Sequence, residues 1–131
     1  MGTLDKFEDI EAWKLARVLS NEIFNLTKKD FFDEDKKLKY QMNGSSGSMM
    51  DNIAEGFGRG GNKEFSQFLW ISKGSTAELK SQLYRCLDRN WIDSDYFNNL
   101  YNQADTIEKM ISGLFSYLSK SDNKGRKYKN R

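Results

Sequence analysis

The sequence has no histidine and a single cysteine, Cys86, among its 131 residues. Without an imidazole there is no histidine base, no Ser–His or Cys–His pair and no histidine metal ligand. One cysteine excludes an internal disulfide and a cysteine-based zinc site, and the di-iron sites of helical bundles need Glu-x-x-His pairs. Hydrolysis by carboxylates alone stays open, but no paired-carboxylate motif supports it. We therefore predict that the protein is not an enzyme and uses no cofactor or metal.

Proline is also absent, and no apolar run approaches the length of a membrane span. No signal-peptide pattern opens the chain, because its first residues lead into a charged, amphipathic segment. Leu, Ile, Phe, Met, Ala, Lys, Glu and Gln dominate the periodic segments, and this composition favours long uninterrupted helices. The length fits one domain. We expect a cytoplasmic, all-α protein that has no membrane partner.

Four segments place apolar residues three and four positions apart, as amphipathic helices do. The first spans about residues 8–28, the second starts near Asp33, the third spans about residues 63–89, and the fourth follows Asp93, a good N-cap. The fourth carries a coiled-coil-like seam of Phe97, Leu100, Ala104, Ile107, Ile111, Leu114 and Leu118. Short connections predict an antiparallel up-and-down four-helix bundle over residues 1–119, followed by a disordered basic tail at residues 120–131.

Residues 43–48 (NGSSGS) interrupt the second segment. In isolation they are typical of a flexible linker, because two glycines and three serines weaken a helix. Alternatively, the small side chains line a close contact between two helices. The residues themselves leave both interpretations open.

The apolar stripes of helices one and three are wider than a single neighbour requires. In helix one, Leu15, Val18 and Phe24 widen the stripe beyond its central line. This width predicts contact with more than one neighbour, and therefore a homo-oligomer. In helix three, the small residues around Gly74 and Ser75 predict a close helix crossing, so Gly74 is assigned a structural role.

A glycine-rich corner joins helices two and three. Gly56-x-Gly58-x-x-Gly61 matches the dinucleotide-binding fingerprint, but a helix precedes it where that fingerprint needs a strand. We therefore predict a tight helical corner, with Asn62 as the N-cap of helix three. Beside it, Glu55 and Arg59 are predicted to form a structural ion pair, with a polar site at a subunit junction as the alternative.

The positive charge is concentrated at the C-terminus. Residues 120–131 carry +5, whereas the remainder of the chain carries −3. Cationic side chains bind phosphates, and an aromatic ring beside them stacks on a base. The basic and aromatic residues of this chain therefore make RNA or DNA a candidate partner. The alternative is a solvated helix face and a solubilising tail. The candidate residues are Arg59, Lys63, Trp70, Lys73 and Lys80 on the body, and Lys124, Arg126, Lys127, Tyr128, Lys129 and Arg131 in the tail.

Four motifs in order resemble one known family: FEDIEAW at residues 7–13, NIAEGFGR at 52–59, KEFSQFL at 63–69 and KGSTAEL at 73–79. The chain resembles the four-helix-bundle proteins encoded in bacterial 23S rRNA intervening sequences, and their relative, the accessory protein of diversity-generating retroelements. Within these motifs we assign structural roles to Asn52, Glu55, Gly56 and Gly58. The family carries two arginines just upstream, where this chain has Asn43 and Gly44.

The resemblance implies a fold and a set of partners. It implies a four-helix bundle that assembles into a ring-like homopentamer, with helix through residues 38–55. For the retroelement relative it also implies binding of nucleic acid and of a reverse transcriptase. The expected function is therefore a non-enzymatic oligomeric scaffold that acts as a nucleic-acid-binding accessory protein. The alternative is a homo-oligomeric interaction module that binds no nucleic acid.

Overall fold

The computed structural model describes residues 4–123, and the side chains of residues 4–121. Its four α-helices are α1 (Glu11–Leu26), α2 (Lys36–Gly58), α3 (Asn62–Asp88) and α4 (Ser94–Asn123). Short 3-10 turns at Phe7–Asp9 and Asp30–Glu34 precede α1 and α2. The described part contains no strand, which confirms the all-α class. Within that part, no helix has an apolar stretch long enough to cross a bilayer.

Each of the four helices packs against two neighbouring helices. α1 packs on α2, α2 on α3, α3 on α4 and α4 on α1, whereas no described Cα atoms of diagonal helices lie within 8 Å of each other. Ser45 of α2 bonds to Gln82 of α3, whereas Ser48, one turn later on α2, bonds to Ser75, which lies earlier on α3. Residue numbers therefore increase along α2 in the direction in which they decrease along α3, so the two helices are antiparallel. The predicted antiparallel up-and-down bundle is confirmed.

The bundle interior is apolar and continuous. The seam predicted for α4 is buried along its whole length. Cys86 is fully buried, as predicted for a core residue, and its Sγ lies 3.7 Å from the Sδ of Met42. Burial raises the pKa of the Cys86 thiol to about 11, so the thiol stays protonated at neutral pH.

α2 is helical throughout residues 43–48, so a linker does not form there. Ser45 and Ser46 are buried, and the hydroxyl of Ser45 donates a 2.6 Å hydrogen bond to Oε1 of Gln82. Ser45 therefore makes the close contact with α3 that one interpretation expected, whereas the Ser46 hydroxyl bonds to the Asn43 carbonyl of its own helix. Gly44 and Gly47 do not take part, because a Cβ on either would meet no atom within 4 Å.

Of the two residues predicted to mark a close helix crossing, Ser75 takes part in one, whereas Gly74 has no such contact within the described residues. Gly74 is exposed, and a Cβ there would also meet nothing within 4 Å. The contact with α2 is made instead by Ser72, which bonds to the Met49 carbonyl, and by Ser75. The reason is helical phase, because a residue two positions after Ser72 lies about 200° around the helix.

The close glycine is Gly56, at the end of α2. A Cβ on Gly56 would lie 2.6 Å from the Cβ of Phe68 and 3.1 Å from Cδ1 of Phe65. Gly60 then turns the chain with a φ of 86°, a left-handed conformation that glycine adopts without strain. Gly61 is the N-cap of α3, so Asn62 is the first helical residue and not the predicted cap. A Cβ on Gly58 would meet nothing within 4 Å.

The C-terminal boundary differs slightly from the prediction. α4 continues to Asn123, because Ser121 is buried and its hydroxyl donates a 3.0 Å hydrogen bond to the Tyr117 carbonyl. Residues 120–123 of the predicted disordered tail are therefore helical, and the other tail residues, 124–131, lie outside the described residues.

Candidate nucleic-acid interface

An aromatic groove lies between α3 and α4. Trp70 of α3 is 60% exposed, and its ring centroid lies 5.3 Å from that of Phe115 on α4. The groove has a volume of about 520 Å³, and we call it the Trp70 groove. Its lining residues are spaced by three or four along each helix, which places them on one side: Lys63, Ser66, Gln67, Trp70, Phe115 and Ser119.

Two lysines on α3 flank the tryptophan. The Nζ of Lys73 lies 5.2 Å from the Trp70 ring centroid, within cation–π distance, and Lys63 lines the far end of the groove. Among the side chains that the structure describes, no carboxylate forms an ion pair with either lysine. The carboxylate of the adjacent Glu64 lies against Gly61. Within the described part, no ion pair therefore competes with an anionic ligand for either lysine.

Lys80 is occupied by partners within the bundle. Its Nζ lies 2.8 Å from Asp105 and 3.0 Å from Glu108, and only 15% of its side chain is exposed. Burial opposes its charged form, but the hydrogen bonds to the two carboxylates outweigh burial and raise the pKa of Lys80 above its ordinary value. Lys80 therefore cross-links α3 and α4 and adds no net charge to a phosphate-binding face.

Arg59 lies at the glycine corner, outside the Trp70 groove. Its guanidinium bonds to Oε2 of Glu55 at 2.7 Å and lies 5.0 Å from the Phe68 ring centroid. This geometry is that of the predicted ion pair, although both side chains are about half exposed. Exposed pairs of this kind contribute about 0.3–0.5 kcal/mol.

Asn52 belongs to a polar connection between α2 and α3. Its Nδ2 donates to the carbonyl and to the hydroxyl of Ser48, both at 2.9 Å. The Ser48 hydroxyl in turn accepts a 2.8 Å hydrogen bond from Ser75. Asn52 thus fixes the serine that joins the two helices, which is a structural role.

The tail candidates Lys124, Arg126, Lys127, Tyr128, Lys129 and Arg131 lie outside the described residues. The described part of α4 runs to Asn123, four residues after Ser119 of the groove. At 1.5 Å per residue, Asn123 lies about 6 Å along the helix axis beyond Ser119.

Of the groove residues that the sequence analysis did not single out, Phe115 is the aromatic one. It follows the seam residue Leu114, so it lies just outside the predicted α4 seam, where an aromatic side chain signals a second contact. Its contact with Trp70 depends on how α3 and α4 are rotated against each other.

In the described part of the chain, no cluster of three or more acidic or cysteine side chains is arranged to hold a metal.

These features define an all-α four-helix bundle with an exposed aromatic and cationic groove. The family model described as "23S rRNA-intervening sequence protein" matches residues 8–113, and the chain belongs to that family. A solved structure from Bacteroides thetaiotaomicron, described as a protein with unknown function from the S23 ribosomal protein family, is similar with a TM-score of 0.72. The two chains are 20% identical, and the match covers 79% of this chain and 97% of the other. At that identity the likeness shows a shared fold. The search of curated proteins found no match.

Proposed function

We propose that the protein is a non-enzymatic scaffold that self-associates through the outer face of α1. The observation that carries this proposal is the exposure of two large apolar side chains, Val18 at 53% and Phe24 at 49%. Both border one surface depression with Lys14, Arg17 and Asn21. The core of the bundle is complete without them, so their burial is available to a second copy of the chain.

The energy available is sufficient to matter. Complete burial of an exposed valine or phenylalanine side chain is worth about 1.5–3 kcal/mol. Because Val18 and Phe24 are each about half exposed, covering the remaining surface is worth about 1 kcal/mol per side chain in each copy. If the face meets a different face on the next copy, the contact is heterologous, and it forms a ring when the rotation between successive copies closes. The family resemblance favours a ring of five copies.

Light scattering on a size-exclusion column tests self-association. We expect a mass several times that of the 15.3 kDa chain. The double variant Val18→Ser/Phe24→Ser should lower that mass while the helical circular dichroism signal persists. Ile71→Ser is the matched control, since Ile71 is 50% exposed on α3, the helix diagonal to α1. A monomeric wild-type protein at tens of micromolar would refute self-association, and dissociation by Ile71→Ser alone would place the interface elsewhere.

A second candidate is a nucleic-acid-binding accessory role, favoured by the Trp70 groove and by the basic composition of residues 124–131. With a body charge of −3, binding should depend strongly on residues 124–131. Fluorescence anisotropy with labelled RNA and DNA tests this role. The truncated protein should end at Asn123, because cutting earlier removes the buried Ser121 and part of α4. Absence of binding by the full chain would leave the scaffold role alone.

A further inference from the structure

We infer that the Trp70 groove binds single-stranded nucleic acid, with an unpaired base stacked on Trp70 and phosphates held by Lys63 and Lys73. The inference rests on the second candidate function and specifies its site and its substrate class. It does not depend on the α1 face, so the two proposals fail independently.

The indole of Trp70 is both exposed and held in place. Phe115 supports it from α4, with an angle of 43° between the ring planes, and Lys73 lies over the ring. The rings of Trp13 and Trp91 pack instead against Phe7 and Phe32, so Trp70 is the tryptophan most available to a ligand. An aromatic platform beside cations is the arrangement on which successive bases of a single strand stack. A duplex keeps its bases within its own stack and offers the groove only phosphates.

Charge selects this occupant over the protein's own tail. Residues 124–131 carry five cations and no acidic group, so Lys63 and Lys73 repel them. A polyanion is attracted by the groove lysines and by the tail together.

The salt dependence of binding separates the contribution of the groove lysines from that of the tail cations. Two groove lysines and five tail cations contact at most about seven phosphates, so the slope of log affinity against log salt for a single strand should reach about −5 per chain. Truncation after Asn123 leaves two cations and a slope of about −1.4. Trp70→Ala removes no charge, so it should weaken binding by about 5- to 150-fold without changing the slope.

The experiment is fluorescence anisotropy with the full chain and labelled oligonucleotides of about 12 nucleotides. Oligo(U) RNA, oligo(dT) DNA and a duplex of equal length are compared between about 50 and 200 mM salt. Trp70→Phe should retain most of the affinity, because it keeps an aromatic platform. Lys63→Gln/Lys73→Gln should weaken binding and flatten the slope. Tyr40→Ala and Lys37→Gln are the matched controls, since both residues are exposed on α2, away from the groove.

The inference is supported if either single strand binds more tightly than the duplex. This preference should be lost in Trp70→Ala and kept in Trp70→Phe and Tyr40→Ala. Quenching of tryptophan fluorescence by the single strand, abolished in Trp70→Phe, supports it independently. Equal affinity for duplex and single strand, or unchanged binding by Trp70→Ala, overturns it. A fall in the light-scattering mass of Trp70→Ala also overturns it, because the groove would then be covered by a second copy.

Discussion

Replacing Gly56 with alanine should destabilise the bundle, although most glycine-to-alanine replacements inside helices are stabilising. The new Cβ would lie 2.6 Å from the Cβ of Phe68 and 3.1 Å from Cδ1 of Phe65, whereas carbon atoms pack at about 3.5–4.0 Å. The Phe68 Cβ is attached directly to the backbone of α3, so relief requires α2 and α3 to separate locally by about 1 Å.

The magnitude follows from two opposing effects. Overpacking costs about 1–3 kcal/mol, and alanine regains about 1 kcal/mol of helix propensity. The net loss is therefore up to about 2 kcal/mol of unfolding free energy. Gly44→Ala and Gly74→Ala supply the control, because a Cβ at either position meets nothing within 4 Å. Those variants should gain about 0.5–1 kcal/mol, so their difference from Gly56→Ala isolates the overpacking cost.

Urea denaturation followed by circular dichroism measures these values. All variants should be compared at one protein concentration, because the apparent stability of an oligomer depends on concentration. The reasoning is refuted if Gly56→Ala gains as much stability as Gly44→Ala. Destabilisation by Gly74→Ala, accompanied by a lower mass in light scattering, would show that another chain covers that face.

Three further predictions concern ionisable groups. Lys80→Ala should lower the unfolding free energy by about 1–2 kcal/mol in urea denaturation, because Asp105 and Glu108 lose their shared cation; an unchanged midpoint would contradict a role in joining the helices. The hydrogen bond from the backbone N–H of Leu38, and after it the one from Arg89, lowers the pKa of Asp35 below its ordinary value of 3.8. The ionised Asp35 carboxylate therefore stabilises the fold above pH 3.8, and this contribution is lost as the pH falls through the lowered pKa of the folded state. Asp35→Asn should therefore reduce stability at neutral pH and flatten its decline in acid, and parallel pH profiles would count against this. Buried Cys86 should react with a thiol reagent at pH 8 only as fast as the bundle opens, and rapid labelling of the native protein would contradict its burial.

Helical periodicity accounts for most of the fold. The seam from Phe97 to Leu118 predicted α4 because each residue's burial follows from its phase on its own helix. Asp93 was correctly predicted as the α4 cap, and its carboxylate accepts a 2.8 Å hydrogen bond from the Tyr96 N–H. The start of α1 was predicted too early, because a 3-10 turn at Phe7–Asp9 precedes the helix and Ile10 is extended. Helix ends depend on local backbone geometry that periodicity does not describe.

The sequence by itself determined the number, order and inner faces of the helices, because those properties are local to each helix. Only the tertiary structure decided which residues meet across helices. Lys73 and Lys80 lie seven residues apart on the same face of α3. The α4 residues Asp105 and Glu108 pair with Lys80. Near Lys73, by contrast, α4 places Phe115 against Trp70. Gly56 and Gly74 are the same residue type, but only Gly56 faces another backbone closely. These contacts depend on the rotation and separation of packed helices, and those are set by all four helices together.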